Sequence, residues 1–422
     1  MQEQTASGQV FLPMQILIVC NDTRGGVQPY AALARGLVTA GHAVAAVAPI
    51  GLTGLFDASV AVTPLAGTED ALSFASSGIA EQGTGAAMRL MARELPRRLG
   101  GWCQTVLDAA QGADVLTGGI GGMAIGLAAA ERLNIPFIES HLQPVGHVTS
   151  AYPGVLFPNT PGWTGAVGKR ISHQLSDMAV WLPFRSAMKR VRQEVFGLHG
   201  AAKQRAGLPS IYGFSRYVVP MTDGPLRHVT GYWNLPARQG WQRPTALTAF
   251  LAGDKPVVSV GFGSMGANSP MALSAMVAAA ARASDVRVVM QANWGAQVLE
   301  ITDDFFAASD LPHDWLFPRM AANVHHGGAG TTSAALLAGR PSVVVPFAVD
   351  QPFWGARVHE LGVGPAPIAR TKLSLGTLTL ALQQAVGDKA MREKAASLGQ
   401  ALAGEDGVAV AVDVFNRFAD RR

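Results

Sequence analysis

Residues 325–358 read HHGGAGTTSAALLAGRPSVVVPFAVDQPFWGARV. NVHH, residues 323–326, is a short apolar strand end. TTSAALLAG (331–339) has a helical pattern, PSVVVPF (341–347) is a second strand, and PFWGARVHELG (352–362) a second helix. Strands that alternate with helices at this spacing make a parallel sheet covered on both faces. The glycines at 327, 328 and 330 allow tight turning and close backbone approach. The helix behind them offers free N–H groups and the positive end of its dipole, a site for an anion. Thr331 and Thr332 supply hydroxyls for capping or for a phosphate, and His325 can donate to a phosphate oxygen. The same residues also fit a plain strand-to-helix turn with a structural histidine pair. Asp350 and Gln351 end the next strand, so they open toward the same loops. A carboxylate beside an amide can hold vicinal hydroxyls. Asp350 also fits a helix N-cap ahead of a first-turn proline.

The same alternation runs through the chain. MQILIVC (14–20), a loop NDTRGGVQPY (21–30), a helix AALARGLVTAGH (31–42) and AVAAVAP (43–49) form one β-α-β unit. ADVLTGG (113–119), GMAIGLAAAERLN (122–134) and IPFIES (135–140) form another. In the second half KPVVSVGFGSM leads from a strand into a glycine-rich loop, followed by a helix SPMALSAMVAAAARAS and a strand VRVVMQA. The Pro- and Gly-rich stretch around residues 231–250 has no steady period and reads as a linker. The predicted organisation is α/β. Two Rossmann-like, doubly wound parallel-sheet domains, 14–230 and 251–422, face one another across a cleft. The last helix is a candidate to pack back on the first domain. In such sheets ligands meet the loops at the carboxyl ends of the strands. Those loops are NDTRGG, ESHLQP, GFGSMG, HHGGAG and AVDQP.

Composition narrows the class. The chain has 422 residues, 49% hydrophobic and 15% charged, as globular proteins do. Mean hydropathy is +0.21, yet the longest apolar run, LTGGIGGMAIGLAAA, is too short and glycine-rich to span a bilayer and stops at Glu131 and Arg132. The start, MQEQTASGQVFLP, lacks the pattern of a signal peptide. Two cysteines, Cys20 and Cys103, cannot build a disulfide framework and suit a reducing cytoplasm. The net charge is +4 with the basic residues dispersed, which argues against nucleic acid. The ten histidines show no metal-ligand spacing. GFGSM is not GxGxxG, and no acidic residue follows at the ribose-binding distance, so a dinucleotide is disfavoured. One phosphate cradle with a polyol clamp suits a nucleotide-activated sugar.

The stretch PHDWLFPRMAANVHHGGAGTTSAALLAGRPSVVVPFAVDQPFWGARVHELGVGP, with RGGVQPYAALARGLVTAGH, YGFSRYVVP, VTGYW and VGFGSM, resembles the inverting two-Rossmann-domain (GT-B) glycosyltransferases. Its closest look is to their sterol and bacterial natural-product branch, and the resemblance runs from Met14 to the end. It implies transfer of a hexose from UDP-glucose or another UDP- or dTDP-hexose to a hydrophobic small molecule. It implies inversion, no metal and no separate cofactor. His325, His326, Gly327, Gly328, Ala329, Gly330 and Thr331 would hold the diphosphate, with Gly263, Ser264 and Gly25 approaching it. Asp350 and Gln351 would hold the sugar, and the segment Leu311-Pro312-His313 would lie against base and ribose.

The resemblance breaks at one place. The branch carries Arg-Gly-Asp-Val-x-Pro with the aspartate as general base, whereas this chain reads TRGGVQP, with Gly26 at that position. General-base help is worth about 10²–10⁴-fold. Either another group substitutes (Asp22 on the same loop, or Glu139, His141 or His147 on a neighbouring strand-end loop), or the acceptor arrives already nucleophilic, or the chain binds donor as a non-catalytic helper. A nucleotide-sugar epimerase of the same architecture fits the DQ pair and the long aromatic segment poorly. That segment, 141–220, borders the acceptor in the family and carries His147, Tyr152, Phe157 and Trp163, an apolar lining in one reading and ordinary packing in the other. Within it KRISHQLSDMAVWLPFRSAMKRVRQEVF is basic and amphipathic, compatible with weak contact at a membrane surface or with a solvated helix face.

Overall fold

The computed structural model describes residues 12–68, 84–200, 208–236, 240–262, 270–291, 302–308 and 311–420. The chain divides into two compact units: Met1–Ala71, Met88–Leu235 and Glu405–Arg422 form the first, Leu72–Ala87 and Pro236–Gly404 the second.

The first unit holds seven parallel strands: β1 (Gln15–Val19), β2 (Ala43–Pro49), β3 (Ala61–Leu65), β4 (Val115–Gly118), β5 (Phe137–His141), β6 (Ser210–Tyr212) and β7 (Arg227–Val229), in the order β3-β2-β1-β4-β5-β6-β7. The order reverses between β1 and β4, so the loops after these two strands flank the switch point, where such sheets take ligands. Val19 and Leu17 of β1 and Leu116 of β4 are buried, as strands covered on both faces require. The glycine-rich run at 116–130 is strand, turn and helix. Helix α3 (Ile120–Leu133) follows α1 (Arg24–Thr39) and α2 (Thr84–Ala109). It lies so close to β1 that a Cβ on Gly122 would sit 1.9 Å from the Val19 carbonyl oxygen. Its end is a left-handed Asn134, φ 56°, whose N–H closes on the Ala130 and Glu131 carbonyls.

Helix α1 starts earlier than the sequence reading placed it. Residues 21–30 read as a loop in the sequence. The structure runs helix from Arg24 through Pro29, because a proline there removes a single backbone bond near the helix start. Gly25 and Gly26 therefore stand in a helical first turn and not in an irregular loop.

Helix α4 (Gly165–Glu194) completes the first unit's long helices. The second unit's sheet contains β8 (Val257–Gly261), β9 (Arg287–Gln291), β10 (Phe305–Ala308), β11 (Ala322–His325) and β12 (Ser342–Val344), all parallel, in the order β10-β9-β8-β11-β12. Its switch point lies between β8 and β11. Its helices are α5 (Thr245–Leu251), α6 (Pro270–Ala283), α7 (His313–Leu316), α8 (Ala329–Leu337), α9 (Gln351–Glu360), α10 (Leu375–Gly387) and α11 (Lys389–Ala403). The final helix, α12 (Gly407–Ala419), belongs to the first unit. A Cβ on Gly36 of α1 would meet Val408 of α12 at 2.3 Å.

Residues 231–250 are not one exposed connection. Tyr232 and Trp233 are buried in the first unit, and Leu247 and Phe250 are buried in the second. Aromatic and leucine side chains in a Pro-rich stretch were read as irregular because their burial follows no period. Among the described residues no helix is long and apolar enough to cross a membrane.

Candidate active site

In the second unit Gly261, His325 and Val344 stand side by side at the carboxyl ends of β8, β11 and β12. The chain leaves all three strands at this level. The Val345 N–H donates to the His325 carbonyl at 2.8 Å, which holds the two central exits together.

His325 is buried to 1% exposure. Its Nδ1 accepts from the Gly327 N–H at 3.1 Å. That bond sets the tautomer, because a ring nitrogen that accepts leaves the proton on the other. Nε2–H is buried and has no partner among the described residues. Burial, then the neighbouring His326 and His313, push its pKa down to about 3, so the ring is neutral. His326 is held at about 4, chiefly by burial, and its Nδ1 is buried without a partner among the described residues. Two neutral imidazoles with unsatisfied buried nitrogens are costly alone and suit a ligand oxygen.

The turn is built for close approach. Gly327 takes φ +86°, and a Cβ there would lie 2.7 Å from Val344 Cγ1. A Cβ on Gly328 would lie 2.5 Å from His326 Nε2. Gly328, not Thr331, is the N-cap of α8, and no side chain caps this end. The first backbone bond into the helix is Thr332 N–H to the Gly328 carbonyl, so the N–H groups of Ala329, Gly330 and Thr331 precede the ladder. Thr332, one residue further, keeps a fully buried Oγ1 with no partner among the described residues.

Asp350 and Gln351 open α9. Asp350 stands at the N-cap position but makes no cap bond; its Oδ2 accepts from the Trp354 indole N–H at 2.9 Å. Trp354 is buried, so this carboxylate is aimed by a rigid partner. The Asp-to-Trp spacing of four, one helical turn, is the signal that could have found Trp354 in the sequence. Gln351 uses its carbonyl to accept from the Phe347 and Ala348 N–H groups at 2.8 and 3.3 Å. It can therefore meet a hydroxyl only as a donor, a narrower role than the sequence reading gave it.

Val349, just before this pair, is at φ 60°. A β-branched residue in the left-handed region is strained. Val349→Asn removes a penalty of about 1 kcal/mol and is expected to raise stability in denaturant unfolding; a loss of stability would show that Val349 packing outweighs the strain.

Leu311, 5% exposed, belongs to a core cluster with Leu316, Phe317 and Leu247. His313 stacks on Phe317, ring centroids 4.3 Å apart and 12° from parallel. Gly263 and Ser264 lie outside the described residues. No group of three or more His, Cys, Asp and Glu among the described residues is placed to hold a metal.

In the first unit, Asp22 follows β1. Its Oδ1 accepts from the Thr23 N–H at 2.6 Å. The Asp22 carboxyl carbon lies 2.2 Å, and Oδ2 2.3 Å, from where a Cβ on Gly26 would stand. The carboxylate of residue 22 thus occupies the space that a side chain at 26 would need. Nothing lies within 4 Å of a Cβ at Gly25, so Gly25 is not required by crowding.

Glu139 and His141 were placed on a strand-end loop but lie within β5, two residues apart and so on one face. Glu139 Oε2 and His141 Nε2 are 3.0 Å apart, and this bond holds the Glu139 carboxyl below its usual range. His141 is buried against Tyr212, and its Nδ1 is enclosed without a partner. The loop residue of the group is His147, whose Nδ1 accepts from Arg227 Nη1 at 3.1 Å. Tyr152 is 1% exposed and packs on His173, which makes it core, not lining. Phe157 and Trp163 are exposed.

Two parallel-sheet α/β units of this topology give the chain the fold of the GT-B glycosyltransferases. The glycosyltransferase of kitacinnamycin superposes with a TM-score of 0.68 at 20% identity, covering 96% of this chain and 99% of that one. The glycosyltransferase VinC, solved with dTDP, gives 0.68 at 17% over 97% and 100%. Residues 274–411 match the family described as erythromycin biosynthesis protein CIII-like, C-terminal domain. A sterol 3-beta-glucosyltransferase of Arabidopsis thaliana is 32% identical over 435 residues, 96% of this chain and 66% of that protein. Its counterpart in Emericella nidulans is 32% identical over 437 residues, 96% of this chain and 30% of that protein. The chain thus spans less than two thirds of these relatives.

Proposed function

We propose that this chain is a metal-independent, inverting glycosyltransferase that moves a hexose from a UDP- or dTDP-sugar to a hydrophobic small molecule. The observation that carries the reading is the neutral, buried His325, whose unpartnered Nε2–H stands beside an uncapped helix N-terminus. Such a site receives a diphosphate without a cation: the helix dipole and a fixed donor stabilise the negative charge as it departs. Asp350 and Gln351 would hold sugar hydroxyls, the first as acceptor and the second as donor. In the transfer, the acceptor O–H loses its proton to a base, its oxygen bonds to the anomeric carbon, and the bond to the diphosphate breaks on the opposite side.

Asp22 is the base in this reading, since its carboxylate fills the room beside Gly26 while the His141 lone pair is enclosed in protein. This observation weighs against a non-catalytic helper, the reading that Gly26 alone favoured. The sterol-specific names of the relatives support a lipophilic acceptor of sterol, polyketide or lipid type. Such acceptors partition into bilayers, so weak contact with a membrane surface belongs to the same reading. Two buried free cysteines, Cys20 and Cys103, suit a cytoplasmic setting.

The test offers a panel of UDP- and dTDP-sugars with a pooled hydrophobic acceptor library and reads products by mass spectrometry. A product heavier by one hexose is the expected result. Donor turnover without any acceptor would instead indicate an epimerase or a hydrolase.

A further inference from the structure

The first half of helix α4 is amphipathic in the reverse of the usual sense, while its second half packs Ala187 and Val191 into the core in the ordinary way. Its inward side carries Ser172, His173 and Ser176, all buried. Ser172 accepts from the Gly154 N–H at 2.8 Å, Ser176 from the Leu156 N–H at 3.2 Å, and His173 Nε2 bonds the Tyr152 carbonyl at 3.0 Å. Polar groups thus clamp the 152–156 loop from beneath. The outward side carries Val167, Ile171, Leu175, Met178 and Leu182, between 42% and 65% exposed. At about 100° per residue these five fall within an arc of about 80°, and they extend over about 22 Å of helix. Trp163, 88% exposed, stands just before the helix.

The stripe is continued by charge of one sign. Arg185 and Lys189 lie in the same arc, and Arg170 lies about 60° to one side of it; all three are exposed. No ion pair holds any of them among the described residues. No Asp or Glu lies within the arc. The nearest acid on the helix, Asp177, lies outside it and is taken by the Gly146 N–H at 3.2 Å. Water is a poor occupant for five aligned apolar side chains. An occupant with an apolar interior and an anionic surface matches both halves of the face.

We propose that the outward face of α4, from Trp163 to Lys189, docks on an anionic lipid bilayer. The apolar stripe sinks below the headgroups, and Arg170, Arg185 and Lys189 pair with lipid phosphates. The geometry stands by itself; its use, delivery of the enzyme to a membrane-dissolved acceptor, rests on the lipophilic acceptor proposed above.

The test is flotation of the whole chain with unilamellar vesicles of phosphatidylcholine with or without phosphatidylglycerol, with neither sugar donor nor acceptor present. The chain is expected to float with the anionic vesicles. Ile171→Gln with Leu175→Gln and Met178→Gln is expected to cut binding about tenfold or more, with unchanged thermal unfolding. Arg185→Gln with Lys189→Gln is expected to abolish the preference for phosphatidylglycerol and the weakening by salt. Absence of wild-type flotation, or equal flotation of the triple variant, overturns the proposal. So does concentration-dependent dimerisation that the triple variant loses, which would make a second copy the occupant. So does a raised KM for a water-soluble acceptor with unaltered flotation, which would make the stripe an acceptor wall. Transfer without flotation refutes the docking alone, and flotation without transfer refutes the transferase reading alone.

Discussion

His325→Ala lowers kcat by about 10²–10³-fold, the cost of removing one preorganised donor to a developing anion. Nε2–H is poised before any ligand arrives: the ring is buried, neutral and oriented by the Gly327 N–H. It needs no proton from solvent and no rearrangement as charge moves onto the diphosphate. The loss should therefore appear in kcat at saturating donor, measured by single-turnover product formation with far-UV circular dichroism to check the fold. A rate near that of the parent chain would sink the assignment. The neutral ring has a second consequence. With a pKa of about 3 for His325 and about 4 for His326, the folded chain without donor binds no proton at these sites near neutrality. The unfolded chain takes them up below about pH 6.5. Stability is then unaffected by these groups above that value and falls as pH drops from about 6.5 toward 4. A denaturation midpoint unchanged across that interval in both the parent and His325→Ala would contradict the buried neutral state.

Asp22→Asn lowers kcat by about 10²–10⁴-fold for an alcohol acceptor, the usual worth of a positioned general base. The substitution keeps the shape and the acceptor that receives the Thr23 N–H, so folding is preserved and the charge alone is lost. Gly26→Ala separates this role from simple packing. Alanine is the better helix former by about 1 kcal/mol, and residue 26 is helical. Yet its Cβ would stand 2.2 Å from the Asp22 carboxyl carbon and must turn that exposed side chain away. The expected signature is stability retained or raised with activity lowered. Exchanging the pair, Asp22→Gly with Gly26→Asp, is expected to recover activity that either Asp22→Gly or Gly26→Ala loses. A full rate for Asp22→Asn would mean that the acceptor arrives already ionised or that another group takes the proton.

Much of this was legible from residue order. The short apolar runs of β11 and β12, buried on both faces, the glycines between β11 and α8 and the Asp-Gln pair after β12 depend on local backbone geometry, and local geometry follows local residues. What escaped were features without a local cause. Leu311 and Tyr152 look like lining residues in one dimension and are core, because distant segments cover them. Glu139 and His141 look like loop residues and sit in β5, because β4 and β6 pair on either side. The inverted first half of α4 reads as an ordinary basic amphipathic helix until its polar side is seen gripping the 152–156 loop.

Residue order alone specifies the two parallel-sheet units, the glycine-rich strand-to-helix turn at 325–331 and the absence of a carboxylate at position 26. These are statements about which residues occur in which order, and short-range periodicity carries them. Only the tertiary structure decided the tautomer of His325, the indole that aims Asp350 and the filling of the Gly26 space by Asp22. Each depends on where atoms of one residue meet those of another across a turn or a strand, and a hydrogen bond or a van der Waals clash changes within an ångström.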